Sequence, residues 1–190
     1  MKIEFIISSY KNPYNLMTIL SCLKAQTSDR WVAKIYSDGP YYGYENIKNI
    51  FKDDSRFTFI ELNGPHGDWG NTARNIALRE LKEEWVLMTG HDNYYVPKFV
   101  EYFLNSVDSD DVNFVYCNMT HDHNDYLYPI YSSVQVGQID MGNFMTRSKY
   151  SSQLTINSKS HTGDGEFAEE YVRRFGGVVK HINKFLYVHN

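Results

Sequence analysis

Through its first 107 residues the chain alternates short apolar runs with amphipathic runs of helical spacing, and few folds accommodate such an alternation. Lys2 to Ser8, rich in Ile and Phe, ends in Ser8-Ser9-Tyr10 and reads as a buried strand running into a loop. Leu16, Ile19, Leu20 and Leu23 then recur at i, i+3, i+4 and i+7 behind Pro13, which suits the first turn of a helix. Trp31 to Ser37 is a second strand, closed by Asp38-Gly39-Pro40, and Tyr44 to Phe51 a short helix before a third strand at Phe57 to Leu62. A loop carrying Gly64, Gly67 and Gly70 leads into a helix expected from Asn71 to Glu83. Trp85 to Thr89 is a fourth strand ending in Gly90-His91-Asp92-Asn93, after which Pro97 opens a helix with Phe99, Val100, Phe103 and Leu104. Right-handed crossovers between such strands build a mostly parallel sheet with helices on both faces.

The remainder is less regular. Val112 to Met119 is strand-like, and Tyr126 to Ile139 suits a hairpin or loop. Gly163 to Phe175 carries Phe167, Ala168, Tyr171 and Val172 at helical spacing, and Val178 to His189 closes as a strand. With no repeat and no linker, 190 residues make one α/β domain, a nucleotide-binding half over 1–107 followed by a half over 108–190 that completes the site.

Nineteen Lys and Arg against 23 Asp and Glu give a formal charge of -4, without the basic footprint of a general nucleic-acid binder. Cys22 and Cys117 lie far apart and outside any zinc-like spacing, which excludes a disulfide scaffold or structural zinc and favours a reducing compartment. The only apolar N-terminal segment, Ile3 to Ile7, is broken by Glu4, and no run approaches the length of a membrane span. The expectation is a soluble, cytoplasmic protein. Its 16 tyrosines, apolar rings with polar tips, suit a site for a planar or hydroxylated ligand.

Open α/β sheets bind ligands beyond the carboxyl ends of their strands, which places Ser8 to Tyr10, Asp38 and Asp92 on one edge. A lone Asp there is ordinarily a turn residue, but three polar strand ends together make a site. Arg74, expected in the first turn of a helix, opposes the helix dipole and calls for an acidic ligand or Asp38 as its partner.

Ile6-Ile7-Ser8-Ser9-Tyr10-Lys11-Asn12-Pro13, Leu20 to Thr27, Tyr36-Ser37-Asp38-Gly39 and Thr72-Ala73-Arg74-Asn75, in that order, resemble the opening of a family 2 glycosyltransferase with the A-type nucleotide-sugar fold. The resemblance implies that Ser8, Tyr10, Asp38, Arg74 and Asp92 bind the nucleotide of a nucleotide diphosphate sugar. The family's acid-x-acid metal motif falls on Gly90-His91-Asp92 and keeps only its second acid. Asp92, with His189 near the chain's end, is then expected to hold Mn²⁺ or Mg²⁺, completed by diphosphate and waters, with His91 as a possible helper. The family's acidic helix opening resembles Gly163-Asp164-Gly165-Glu166 and implies that Asp164 is the general base of an inverting transfer to a hydroxyl acceptor such as a glycan or polysaccharide. The half over 108–190 becomes the acceptor and catalytic-base half.

Each of these residues has a plainer reading. Asp164 suits a helix N-cap with Glu166 or Glu169 behind it, and His189 a frayed terminal residue. His121-Asp122-His123 is expected in a wet loop, Asp108 to Asp111 in a solvated turn, and Asn118-Met119-Thr120 is a glycosylation triplet expected to be inert. A non-catalytic nucleotide-sugar or glycan-binding module is the competing function, favoured by Gly90 and Gly163 where acids are expected. A sugar-1-phosphate nucleotidyltransferase is disfavoured, because Ser8 to Asn12 is no basic, glycine-rich phosphate loop.

Overall fold

In the computed structural model, which describes every residue except 124, 125 and 158, strand β1 (Ile3–Ser9) is buried at all seven positions. It can be, because parallel neighbours flank it and helices cover both of its faces. Helix α1 (Pro13–Lys24) begins behind Asn12, whose side chain accepts from the Asn15 amide, and leads to β2 (Trp31–Ser37), parallel to β1. Helix α2 (Tyr44–Phe51) leads to β3 (Phe57–Glu61), and α3 (Asn71–Ala77) to β4 (Trp85–Gly90), which pairs β1 on its other side. The chain continues through β5 (Tyr94–Tyr95), α4 (Phe99–Asn105), β6 (Val112–His123), β7 (Tyr126–Ile130), β8 (Phe144–Arg147), α5 (Ser148–Ser151), α6 (Gly163–Phe175) and β9 (Val178–His189).

One sheet runs β3-β2-β1-β4-β8-β6-β9-β5, with β7 on β6. Strands β1, β2, β3, β4, β6 and β9 point one way and β5, β7 and β8 the other, so the sheet is mostly parallel, as expected. Alternation along the strands divides the core. Phe5, Ile7, Ile35 and Leu87 face Leu16, Leu20, Phe51 and Phe99 of α1, α2 and α4. On the opposite face Ile6, Tyr36 and Met88 meet Ala73, Ala77, Phe167 and Tyr171 of α3 and α6.

Several elements differ from the expectation, among them α3, β6 and β8. Helix α3 stops at Ala77 rather than Glu83. The fully buried Glu4 explains this: its carboxylate pairs with Lys34 at 2.6 Å and accepts the Lys82 and Glu83 amides at 2.7 and 3.0 Å. Amides spent on that carboxylate cannot continue a helical ladder. The second difference is β6, which runs four residues past Met119, so His121-Asp122-His123 is strand and not loop. Both of its edges are paired there, His121 opposite Tyr128 on β7 and His189 on β9. The turn between β6 and β7 lies outside the described residues.

The third difference, β8, inserts antiparallel between β4 and β6. Arg147 holds its end: its Nε donates to the Val112 carbonyl at 2.9 Å, its guanidinium pairs with Glu84, and it lies 4.4 Å over the Trp85 ring. The Asn118 side chain is fully buried and bonded to Asn183, Ser132 and His181, which keeps it from any modifying enzyme.

Candidate active site

A cavity of about 450 Å³ opens at the carboxyl ends of β1, β2 and β4. Its wall on the first half of the chain includes Ser8, Tyr10, Asp38, Arg74 and Asp92, and Asp164 and His189 close it from the second half. All seven residues singled out in the sequence therefore converge on one space, although they come from separate strand ends, helix starts and the chain terminus.

The floor is built by close approach. Ser8 Oγ donates to the Thr89 carbonyl at 3.3 Å, tying β1 to β4. Gly70, at φ +82°, lets the start of α3 reach this strand end, since a Cβ there would lie within 2.4 Å of Ser8 Oγ. Ser9 shares a hydrogen bond of 2.6 Å with the Tyr41 hydroxyl.

Of the two partners expected for Arg74, an acidic ligand or Asp38, the structure does not pair it with Asp38. Asp38 accepts the His66 amide at 3.0 Å and pairs with the His66 ring Nδ1, because the glycine-rich loop folds back over β2. One guanidinium nitrogen of Arg74 donates to the Trp69 carbonyl at 2.9 Å and to Asn71 Oδ1 at 3.0 Å, while Nε is buried without a hydrogen-bond partner among the described residues. Burial pulls the Arg74 pKa down, and the negative charges of Asp140, Asp164 and Asp92 oppose that. A cation held among carboxylates with an unused donor is suited to an anionic ligand.

Asp92 sits over Gly90, forming neither an ion pair nor a hydrogen bond among the described residues. His91 next to it is half-buried: its amide donates to the Ser8 carbonyl at 3.0 Å, its Nε2 is buried without a hydrogen-bond partner among the described residues, and burial lowers its pKa.

His189 is not frayed. It is the last residue of β9, and its Nδ1 lies 3.2 Å from Asn93 Oδ1 and 3.6 Å from Asp140 Oδ2. Asp140 also caps the 3-10 turn Met141–Asn143 through the Gly142 amide at 2.8 Å and accepts the Tyr187 hydroxyl. Asp140, Asn93 and His66 were missed in the sequence. The Asp-x-x-Asn spacing of Asp140 and Asn143 signals a cap, but nothing local says that the cap's charge faces a cavity.

Asp164 is not the N-cap. Thr162 stands at that position, and Glu166 binds the Ser160 and Thr162 hydroxyls at 2.7 and 2.8 Å, so Asp164 is left inside the first turn of α6 facing the cavity. Burial, reinforced by the nearby Asp140 charge, raises its pKa from 3.8 to about 6, against the pull of the Gly165 amide and Arg74. Such a carboxylate is a stronger base than an exposed one, yet still ionised near neutrality.

Among the described residues no three His, Cys, Asp or Glu side chains converge as a metal centre. Asp92 and His189, a carboxylate and an imidazole that both line the cavity, fit an open site that an oxygen-rich ligand must complete. Among the described residues no helix is long and apolar enough to cross a membrane.

A comparison with curated protein sequences finds no match. Among solved structures, S. aureus TarS residues 1-349 superposes with a TM-score of 0.83 at 14% identity, over 100% of this chain and 60% of that one. The same TarS fragment in complex with UDP-GlcNAc gives 0.80 at 14% identity, over 99% of this chain and 58% of that one. The mannosyltransferase PcManGT from Pyrobaculum calidifontis, in complex with GDP-Man and Mn2+, gives 0.77 at 12% identity, over 99% and 56%. The chain thus spans under two thirds of these proteins, and the likeness is one of fold. The sequence profile of glycosyl transferase family 2 matches residues 4–171, most of the chain, and on that match the protein belongs to glycosyl transferase family 2.

Proposed function

We propose that the chain transfers a sugar, with inversion at the anomeric carbon, from a nucleotide diphosphate sugar to a hydroxyl of a glycan-like acceptor. The observation that carries this reading is the pairing, across one cavity, of a basic carboxylate at Asp164 with the strand-end residues Ser8, Tyr10, Asp38 and Asp92. In this reading Asp38 and Tyr10 hold the nucleobase and Arg74 the charge beside it. Asp164 takes the proton of the acceptor hydroxyl as its oxygen bonds to the anomeric carbon. The bond from that carbon to the diphosphate oxygen breaks, and the electron pair leaves with the nucleoside diphosphate. One base suffices for a single inverting displacement, and burial supplies its strength.

Asp92 and His189 would hold a divalent ion, Mn²⁺ or Mg²⁺, chelated by the donor's diphosphate. Bound there, such an ion neutralises charge on the leaving group. The family membership and the Mn2+ of the mannosyltransferase complex support the ion.

A second reading, a nucleotide-sugar-binding module without turnover, is favoured by Gly90 and Gly163, which stand where the family's acids are expected. Incubation with Mn²⁺ and a panel of UDP- and GDP-sugars, with and without oligosaccharide acceptors, decides between them. Release of nucleoside diphosphate with formation of a glycosylated product supports transfer. Binding of UDP or GDP without release of diphosphate supports the module.

A further inference from the structure

The cavity's lining carries five carboxylates, those of Asp38, Asp68, Asp92, Asp140 and Asp164, against one arginine. Its one large exposed ring is Trp69, 63% accessible. A tryptophan so exposed beside a site is uncommon, and its backbone adds to the point: Trp69 adopts φ +57°, a left-handed conformation that bulky residues rarely take. Arg74 fastens it there through the Trp69 carbonyl at 2.9 Å. The ring centroid lies 6.3 Å from that of His161, itself exposed and also lining the cavity.

The two rings come from opposite halves of the chain, and Asn71 joins their loops. Its buried side chain donates to the Asn157 and Ser160 carbonyls at 3.4 and 3.3 Å and accepts from Arg74. His161 precedes Asp164 by three residues in the segment that enters α6. The pair is therefore preset at the cavity rim, on the side that carries the basic carboxylate.

We propose that Trp69 and His161 form a carbohydrate subsite, a platform on which a neutral pyranose of the acceptor stacks its apolar C–H face. The inference rests on the transferase reading for the word acceptor. A pyranose has one face of C–H groups and a rim of hydroxyls, and it matches an exposed indole bordered by carboxylates that accept hydrogen bonds. An anionic acceptor sugar would meet repulsion from those same carboxylates, since the one arginine of the lining is assigned to the donor in the proposed reading. The competing occupant, the donor's nucleobase, belongs to Tyr10 and Asp38 in the proposed reading.

The protein carries its own reporter. Trp31 and Trp85 are fully buried, so emission quenched by acrylamide comes from Trp69. With UDP or GDP bound, methyl pyranosides and linear oligosaccharides are titrated in and quenching is measured. At least one neutral sugar protects Trp69 saturably, and UDP or GDP alone does not. For that sugar, calorimetry shows Trp69→Ala and His161→Ala binding on the order of tenfold more weakly, Trp69→Phe recovering most of the affinity, and nucleotide affinity unchanged. Protection by nucleotide alone assigns the ring to the base and overturns the platform, as does protection by no sugar while nucleotide still binds. Absence of nucleotide binding in the same calorimetry overturns the donor reading instead, and sugar protection in that case leaves a glycan-binding platform standing.

Discussion

The Asp92 carboxylate fills the space that a side chain at position 90 would require: a Cβ built on Gly90 would lie 2.5 Å from Asp92 Oδ1. The missing acid and the placement of the remaining one are thus linked. Gly90→Ala should keep the fold, because the clash is with the movable end of one side chain, but should swing Asp92 away. We expect the gain in UDP or GDP affinity on adding Mn²⁺ to shrink in Gly90→Ala and to vanish in Asp92→Ala, measured by calorimetry with and without chelator. Equal affinity with Mn²⁺ and with chelator in the unmodified protein would instead point to a site run by cationic side chains.

Asp164→Asn isolates the base. Asparagine keeps the shape of the carboxylate, so nucleotide affinity should hold, and the melting temperature should match near pH 4, while turnover falls by about 10²- to 10⁴-fold. In the unmodified protein the rate should climb as pH rises toward about 6, where Asp164 ionises, and level off above it. Stability should run the other way. A carboxyl group whose folded pKa, about 6, exceeds its ordinary 3.8 favours folding most when protonated, and that contribution is lost as pH rises between those values. The Asn variant should lose this part of the pH dependence, visible as a smaller fall in melting temperature from pH 4 to 6.

Asp140→Asn tests the source of that basicity beyond burial. The amide oxygen can still accept from Tyr187 and from the Gly142 amide, so only the charge disappears. The pH midpoint of turnover should move downward, since Asp140 is one of the two influences holding Asp164 up. An unmoved midpoint would assign the whole shift to burial.

Arg74→Ala removes the cation that sits among Asp140, Asp164 and Asp92. We expect weaker binding of UDP or GDP by about tenfold or more, as for a lost charge-assisted hydrogen bond, and a similar loss in Asp38→Ala. Unchanged affinity in both variants would place the nucleotide elsewhere.

Much of this protein was settled by local pattern. Strand β1, helix α1, β2, α2, α6 and β9 fall where the sequence pattern and Pro13 put them, because α1, α2 and α6 bury side chains at helical spacing and β1 and β2 are apolar runs of strand length. The strand-end positions of Ser8, Asp38 and Asp92 follow from the same pattern, since a βα alternation leaves every polar strand end on one edge. What the chain order alone could not decide was which groups meet there. That the chain is not helical as far as Glu83 depends on Glu4, some 80 residues away, taking the Lys82 and Glu83 amides. The β8 insertion depends on Arg147 meeting Val112 and Trp85. His121 belongs to a strand only because β7 and β9 pair both of its edges. Asp140 caps a 3-10 turn, yet its effect on Asp164 arises from proximity across the fold, and electrostatic interaction depends on distance in space rather than along the chain.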